Sequence, residues 1–305
     1  MRITEAVRRL RLAWREGRTD ATMHIAGYRA WRTTLVDLGI PSVVGRQVLE
    51  MGCGERCQLS LLFAADGADV TALDTLPVAL GLGRPRMWAT LAREDGLTRA
   101  VRQVVRDAVH TWRYWRTLGR AAGRRLRSSA VNVVRADATR LPFPDGAFDL
   151  VVSSAVWEHI DDVDAATREV GRVLRPGGLA VIQIALFPSL QGGHHAAWHA
   201  ISPESARLVR PWDHLRPGRL PFPVYLNEWR EAQYREVFDQ RLSVLRWEDG
   251  EMRGQEYLAS DFVTELEYSR RDLLLSSVTA WAAPVAPDRQ LQGSANATVR
   301  HGDTR

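Results

Sequence analysis

Residues 48–74 restrict this chain to a narrow set of folds. An apolar run, Val48-Leu49-Glu50-Met51, breaks into Gly52-Cys53-Gly54. A helix-like segment follows (Leu59, Leu61, Leu62, Phe63, Ala65), and a second apolar run, Val70-Thr71-Ala72-Leu73, ends on Asp74. The pattern reads as strand, glycine turn, helix, strand. Glycines, lacking Cβ, let the backbone turn sharply and approach a ligand closely. The helix that opens there presents backbone N–H groups to an anion. A carboxylate about 20 positions past the glycines accepts two hydrogen bonds from ribose hydroxyls. Taken alone, the segment also fits an ordinary βαβ turn with a surface aspartate.

The rest of the chain repeats the theme. A third apolar run, Val131-Asn132-Val133-Val134-Arg135-Ala136, reaches Asp137, and a fourth, Phe148-Asp149-Leu150-Val151-Val152, reaches Ser153-Ser154 and then Trp157-Glu158-His159-Ile160. Residues 165–174 have helical spacing and stop at Arg175-Pro176-Gly177-Gly178, where the chain resets for Leu179-Ala180-Val181-Ile182-Gln183-Ile184. Strands alternating with helices predict an α/β fold: a Rossmann-like, seven-stranded, mostly parallel sheet with helices on both faces. A sixth strand is expected at 242–245 and a seventh, antiparallel one at 273–282, with helices at 225–238 and about 254–268. Ligands in such sheets bind beyond the carboxyl ends of the strands, and Glu50, Gly52, Asp74, Asp137 and Ser154 all fall there.

Over residues 46–187 these motifs together resemble the class I S-adenosylmethionine-dependent methyltransferases, in particular the small-molecule branch called methyltransferase type 11. The resemblance implies that Glu50, Gly52, Cys53 and Gly54 line the methionine half of the cofactor. It assigns Asp74 to the ribose hydroxyls, with Thr75 beside it and Leu76 packed on an adenine face. Asp137 would accept from the adenine amino group, next to the Ala138 N–H, and Ser153 and Ser154 would lie near the transferring methyl. One departure stands out: family members commonly carry a third glycine two positions after Gly54, and here that residue is Arg56. Its long side chain must swing away or pair with the cofactor carboxylate. A nicotinamide dinucleotide is the rival ligand, but its fingerprint needs a glycine where Cys57 stands.

No apolar stretch approaches the roughly 18–20 residues that span a bilayer, and no signal-peptide pattern opens the chain. Cys53 and Cys57 lack partners for a zinc site and read as packing residues in a reducing compartment, so a cytoplasmic location is expected and no metal is assigned. Every one of the 41 basic side chains is arginine. Many cluster between Arg84 and Arg127, interleaved with Trp88, Trp112, Tyr114 and Trp115. That stretch predicts a helical insertion at about 77–128, in two segments near 77–94 and 97–123. It reads first as an extra helical layer with a solvated basic face; peripheral contact with an anionic membrane comes next, and nucleic acid is disfavoured because no RNA-binding module is present.

Residues 1–46 predict a helical cap, with one helix at 28–38, before a domain at 47–283; the polar tail 284–305 is expected to be disordered. Residues 188–224 form a long substrate-side loop carrying His194, His195, His199 and His214. The implied activity is methyl transfer to a small organic acceptor, at oxygen in preference to nitrogen or carbon. A glycan or lipid-linked acceptor, or a catalytically silent cofactor-binding protein, are the alternatives. A neutral hydroxyl is a poor nucleophile, so His159, His194 and His195 are the candidate bases.

Overall fold

Strands covered on both faces read as continuous apolar runs, not as alternating ones. Gln47–Met51 (β1) is buried at all but its first position, and Phe148–Ser154 (β4) at all but its last. The computed structural model describes residues 21–78, 80, 84–106, 111–198, 201, 203–222, 224–258 and 266–285. The chain divides into two compact units, Met1–Asp137 and Ala138–Arg305. Residues 1–20 of the expected helical cap, and the tail beyond 285, lie outside the described residues.

In the first unit the strand order is β3-β2-β1, where β2 is Asp69–Asp74 and β3 is Val131–Arg135. Both pairings are parallel, and Asp74 sits in register with Arg135. Residues 21–37 form helix α1, longer than the 28–38 expected. Its Tyr28 ring meets Phe63 of α2 (Gln58–Ala65) edge-on at 5.0 Å, and its hydroxyl donates to Asp66 at 2.7 Å. The insertion contains Arg84–Glu94 (α3), Leu97–Arg106 (α4) and Trp112–Ala122 (α5). The expected second segment, 97–123, therefore comprises two helices, with 107–110 outside the described residues. Helix α5 is no detached lid. Tyr114 and Leu118 are fully buried, Tyr114 Oη lies 2.7 Å from His24 Nδ1, and Arg29 donates to the Ala121 carbonyl. Helix α4, by contrast, exposes Leu97, Val101 and Val105.

In the second unit the order is β4-β5-β7-β6. Leu174–Ala185 (β5) runs parallel to β4, while Ser277–Pro284 (β7) is antiparallel to both β5 and Leu242–Asp249 (β6). The seven strands thus match the expected α/β class. Val163–Val173 (α6) begins where the Asp162 carboxylate accepts from Ala165 N–H at 2.9 Å, a side-chain cap that holds a free helical donor. Arg172 on this helix donates to Glu169, Asp145 and the carbonyls of Leu141 and Phe143, tying the 141–145 turn to the helix.

Three expected boundaries shift. Residues 225–230 are not helical; the helix is Glu231–Arg241 (α8), because Asn227 and its neighbours bond elsewhere in the unit. Leu273 and Leu274 belong to a short helix, Arg270–Leu274 (α9), capped reciprocally by Ser269 and Asp272, so β7 starts later than expected. Near 254–268 the described residues hold a 3-10 turn, Gln255–Tyr257, and 259–265 lie outside them. The substrate-side loop has its own apolar core: Leu190, Trp198, Val209 and Trp212 pack with Leu273 and Leu274. Trp212 Nε1 donates to the Leu273 carbonyl at 3.1 Å, and Pro203–Leu208 (α7) forms within it.

Candidate functional site

In the first unit the glycine turn and the tip of β2 are bound to each other. Gly52 and Cys53 N–H both donate to the Leu73 carbonyl, at 2.8 and 3.0 Å. One Asp74 oxygen accepts from Gly54 N–H and the other from Leu76 N–H, each at 2.9 Å. Two backbone donors therefore fix the carboxylate plane, and each oxygen keeps a second lone pair. Gly54 has φ +57°, and a Cβ added there would meet nothing within 4 Å, so the face of the turn is open. Thr75 and Leu76 are exposed beside it. Asp137 is also exposed, two residues past the β3 residue that pairs with Asp74; the Ala136 N–H donates to the Asp74 carbonyl at 3.1 Å.

The third turn position with positive φ is Cys57 (φ 45°), not Arg56. Arg56 keeps ordinary backbone geometry. Its guanidinium lies over the Tyr114 ring, 4.8 Å from the centroid, and its carbonyl accepts from Trp115 Nε1 at 2.8 Å. A cation over an aromatic face is attracted by the ring quadrupole, so α5 gives the side chain a place to swing to. Cys53 and Cys57 are buried free thiols, and the hydrogen bond to Cys57, with burial, pushes the Cys53 thiol far up.

Glu50 departs from its expected place along the cofactor. It is 2% exposed, and its carboxylate accepts from the N–H of Ser60, at 2.7 Å, and from the Ser60 hydroxyl. Ser60 lies in the first turn of α2, whose N-cap, Cys57, makes no side-chain cap. Glu50 therefore caps the helix from β1 and reaches a ligand only by holding the turn.

Burial pushes Glu50 up to about 7, with the Ser60 bonds opposing and the nearby Asp74 charge adding to the rise. A carboxyl raised above its unfolded value penalises the folded state once ionised. The penalty is absent below about 4.5, grows as pH rises to 7 and is complete above it. A rise of this size corresponds to about 3 kcal/mol. Glu50→Gln, which keeps an acceptor for Ser60, is expected to gain about that much over wild type at pH 8 and little at pH 5. Urea unfolding at both pH values measures it; a difference independent of pH would refute the assignment.

In the second unit, Ser154 Oγ donates to Gln183 Oε1 at 2.7 Å, and Ala138 is buried. The turn after β4 brings Glu158 and His159 to His194, while His195 turns its Nδ1 to the Ala197 N–H at 3.1 Å. The His159 and His194 rings meet edge-on at 4.9 Å. Glu158 is 1% exposed, and burial pushes it up to about 8, partly offset by the N–H groups of Glu158 and Ala185. A strap at 225–227 pins this turn: the Tyr225 carbonyl lies 2.8 Å from His159 Nδ1, and Asn227 donates to the carbonyls of Trp157, Glu158 and Ile160. Sequence reasoning passed over Glu158, Tyr225 and Asn227. A glutamate between Trp157 and His159 was the available signal.

Glycines position His194. A Cβ on Gly192 would lie 2.0 Å from the Phe187 carbonyl oxygen, and one on Gly193 would meet the His214 ring. His214 Nε2 in turn lies 2.8 Å from the Phe187 carbonyl. Gly192→Ala is accordingly expected to displace this loop at a cost of about 1–3 kcal/mol, the usual range for overpacking. Thermal unfolding checks this; an unchanged Tm would count against it.

A glycine turn closing on the acid of the next strand, with an antiparallel last strand inserted beside β5, defines the class I methyltransferase fold. A family model described as a methyltransferase domain, of type 11, matches residues 96–182. Over residues 96–182 the chain matches the type 11 methyltransferase family, and this match together with its relatives supports a class I S-adenosylmethionine-dependent methyltransferase. It is 32% identical over 113 residues to an uncharacterized methyltransferase of Mycobacterium bovis, covering 36% of this chain and 57% of that protein. It is 27% identical over 195 residues to a demethylmenaquinone methyltransferase of Clavibacter sepedonicus, covering 63% of each. The chain thus spans less than two thirds of the length of these relatives. Among solved structures it is similar to a putative sarcosine dimethylglycine methyltransferase from Galdieria sulphuraria, with 14% identity, 85% of each chain covered and a TM-score of 0.46.

Proposed function

We propose that this chain transfers the methyl group of S-adenosylmethionine to an oxygen of a small organic acceptor. The observation that carries the reading is the Asp74 carboxylate, held by the N–H groups of Gly54 and Leu76 at the tip of β2. Its remaining lone pairs would receive the two ribose hydroxyls, Leu76 and Thr75 would flank the adenine, and Asp137 would accept from the adenine amino group beside the Ala138 N–H. Gly52, Cys53 and Gly54 would run along the methionine half, with Glu50 holding α2, and Ser154 would stand at the acceptor side. The position of Arg56 over Tyr114 supports this reading over a catalytically silent protein.

Methyl transfer is an in-line displacement at a carbon that the cofactor has already activated, so alignment of the acceptor is the protein's main contribution. The acceptor proton would leave to the Glu158–His159–His194 cluster, with His159 and His194 the candidate bases; the bond from Ala197 ties His195 to its own loop. A lipid-bearing acceptor is the second reading, favoured by the exposed Leu97, Val101 and Val105 of α4. No described helix is long and apolar enough to cross a membrane, and we place the chain in the cytoplasm. Incubation with methyl-labelled cofactor and a panel of phenols and hydroxy acids tests the proposal. Label in an ether product is expected; label in N- or C-methyl products would overturn the oxygen assignment.

A further inference from the structure

The Glu158 carboxylate is buried beside two imidazoles, and the N–H groups of Glu158 and Ala185 reach it only outside ordinary hydrogen-bonding geometry. In its ionised form a carboxylate so buried is costly unless a cation compensates it. His159 Nε2 lies 4.0 Å and His194 Nε2 3.9 Å from the same oxygen, Oε1. These distances are too long for hydrogen bonds. They suit donors facing a common point: two ligand atoms, each about 2.1 Å from one ion at a tetrahedral angle, lie roughly 3.4 Å apart. A contraction of about half an ångström in each of the two glutamate–histidine pairs would bring them to that spacing. All three ligand atoms fall within 4.8 Å of one another.

The protonation state of His159 fits as well. The Tyr225 carbonyl, 2.8 Å from Nδ1, can only accept, so Nδ1 carries the proton and Nε2 of the neutral ring turns its lone pair toward Glu158. A backbone carbonyl fixing the far nitrogen is the usual support of a metal-bound histidine. Tyr225 is itself anchored, its hydroxyl donating to Asp161 at 2.8 Å. His194 reaches the cluster from 35 positions along the chain with φ +52°, on the loop that Gly192 and Gly193 allow to pack. No HxxxH spacing announces the set; the fold assembles it.

We propose that Glu158, His159 and His194 bind a divalent transition-metal ion. Two imidazole nitrogens and one carboxylate suit zinc, iron, cobalt, nickel or manganese, whereas magnesium and calcium prefer all-oxygen sets. The side chains of His159 and His194 are 33% and 22% exposed and that of Glu158 2%, so the remaining coordination positions open on the solvent side. The site is independent of the cofactor assignment at Asp74, but it shares His159 and His194 with the proposed proton acceptors, whose nitrogens a bound ion would occupy.

The test is titration of the chelator-treated, tag-free full chain with Co²⁺, followed by calorimetry and by the visible absorption of the bound ion. Wild type is expected to take up one equivalent. His194→Asn and Glu158→Gln are each expected to weaken uptake by more than the roughly 10–100-fold that an outer-shell partner is worth. Because Glu158 is buried, the partly exposed His194 variant decides if Glu158→Gln unfolds. Asp74→Ala should leave Co²⁺ uptake unchanged while losing adenosylhomocysteine, which separates failure of this site from failure of the cofactor reading. Absence of a one-equivalent phase in wild type, or uptake undiminished in His194→Asn, overturns the proposal.

Discussion

Asp74→Ala is expected to weaken adenosylhomocysteine binding by roughly 10²–10⁴-fold. Two hydrogen bonds from ribose hydroxyls to a carboxylate, at about 1.5–3 kcal/mol each, set that range. The substitution leaves the Gly54 and Leu76 N–H groups without their acceptor. Both lie at the half-exposed end of β2, where water can take over, and the turn keeps its bonds from Gly52 and Cys53 to Leu73. The fold should therefore survive. Isothermal calorimetry on wild type and variant, with circular dichroism to show retained structure, makes the measurement. Affinity within a few-fold of wild type would mean that the nucleoside does not use this carboxylate, and the cofactor assignment would fall with it.

Asn227→Ala is expected to destabilise the second unit by about 2–4 kcal/mol and to abolish turnover. The side-chain amide donates to the Trp157 and Ile160 carbonyls at 2.8 and 2.9 Å, and its oxygen accepts from Tyr234 Oη at 2.8 Å and Trp229 N–H at 3.2 Å. Each bond is worth about 0.5–1.5 kcal/mol net, and buried groups left unpaired cost more. Tyr234 is fully buried, so its hydroxyl has no route to water. The same residue fastens the turn that carries Glu158 and His159, so the acceptor side should loosen before the strands do. Urea unfolding reads the stability, and methyl transfer in dilute conditions reads the site. A variant of wild-type stability would show that the strap is held by other contacts.

The candidate residues of the two units were unequally legible. Gly52, Gly54, Asp74 and Asp137 were legible because each stands just where an apolar run stops and a residue type with one physical task appears. The parallel strands were readable for a related reason: burial on both faces leaves runs such as Leu150-Val151-Val152 and Ala180-Val181-Ile182 with no polar interruption. The capping role of Glu50 was not legible, because its partner, Ser60, lies ten positions on, in the first turn of the next helix. The departure at Arg56 could not be weighed from the motif, because what accommodates it, Tyr114, lies in an insertion 58 positions away.

Local sequence determined the order and type of the strands, the glycine turn and its acid, and hence the α/β fold class, because hydrophobic period and turn chemistry act over a few residues. Tertiary structure alone decided what the polar groups face: Glu158 against His194, His159 against the Tyr225 carbonyl, Arg56 on Tyr114, and an extended strap where helix was expected at 225–230. Those choices depend on side chains remote along the chain becoming neighbours only after the strands pair, and no local period encodes them.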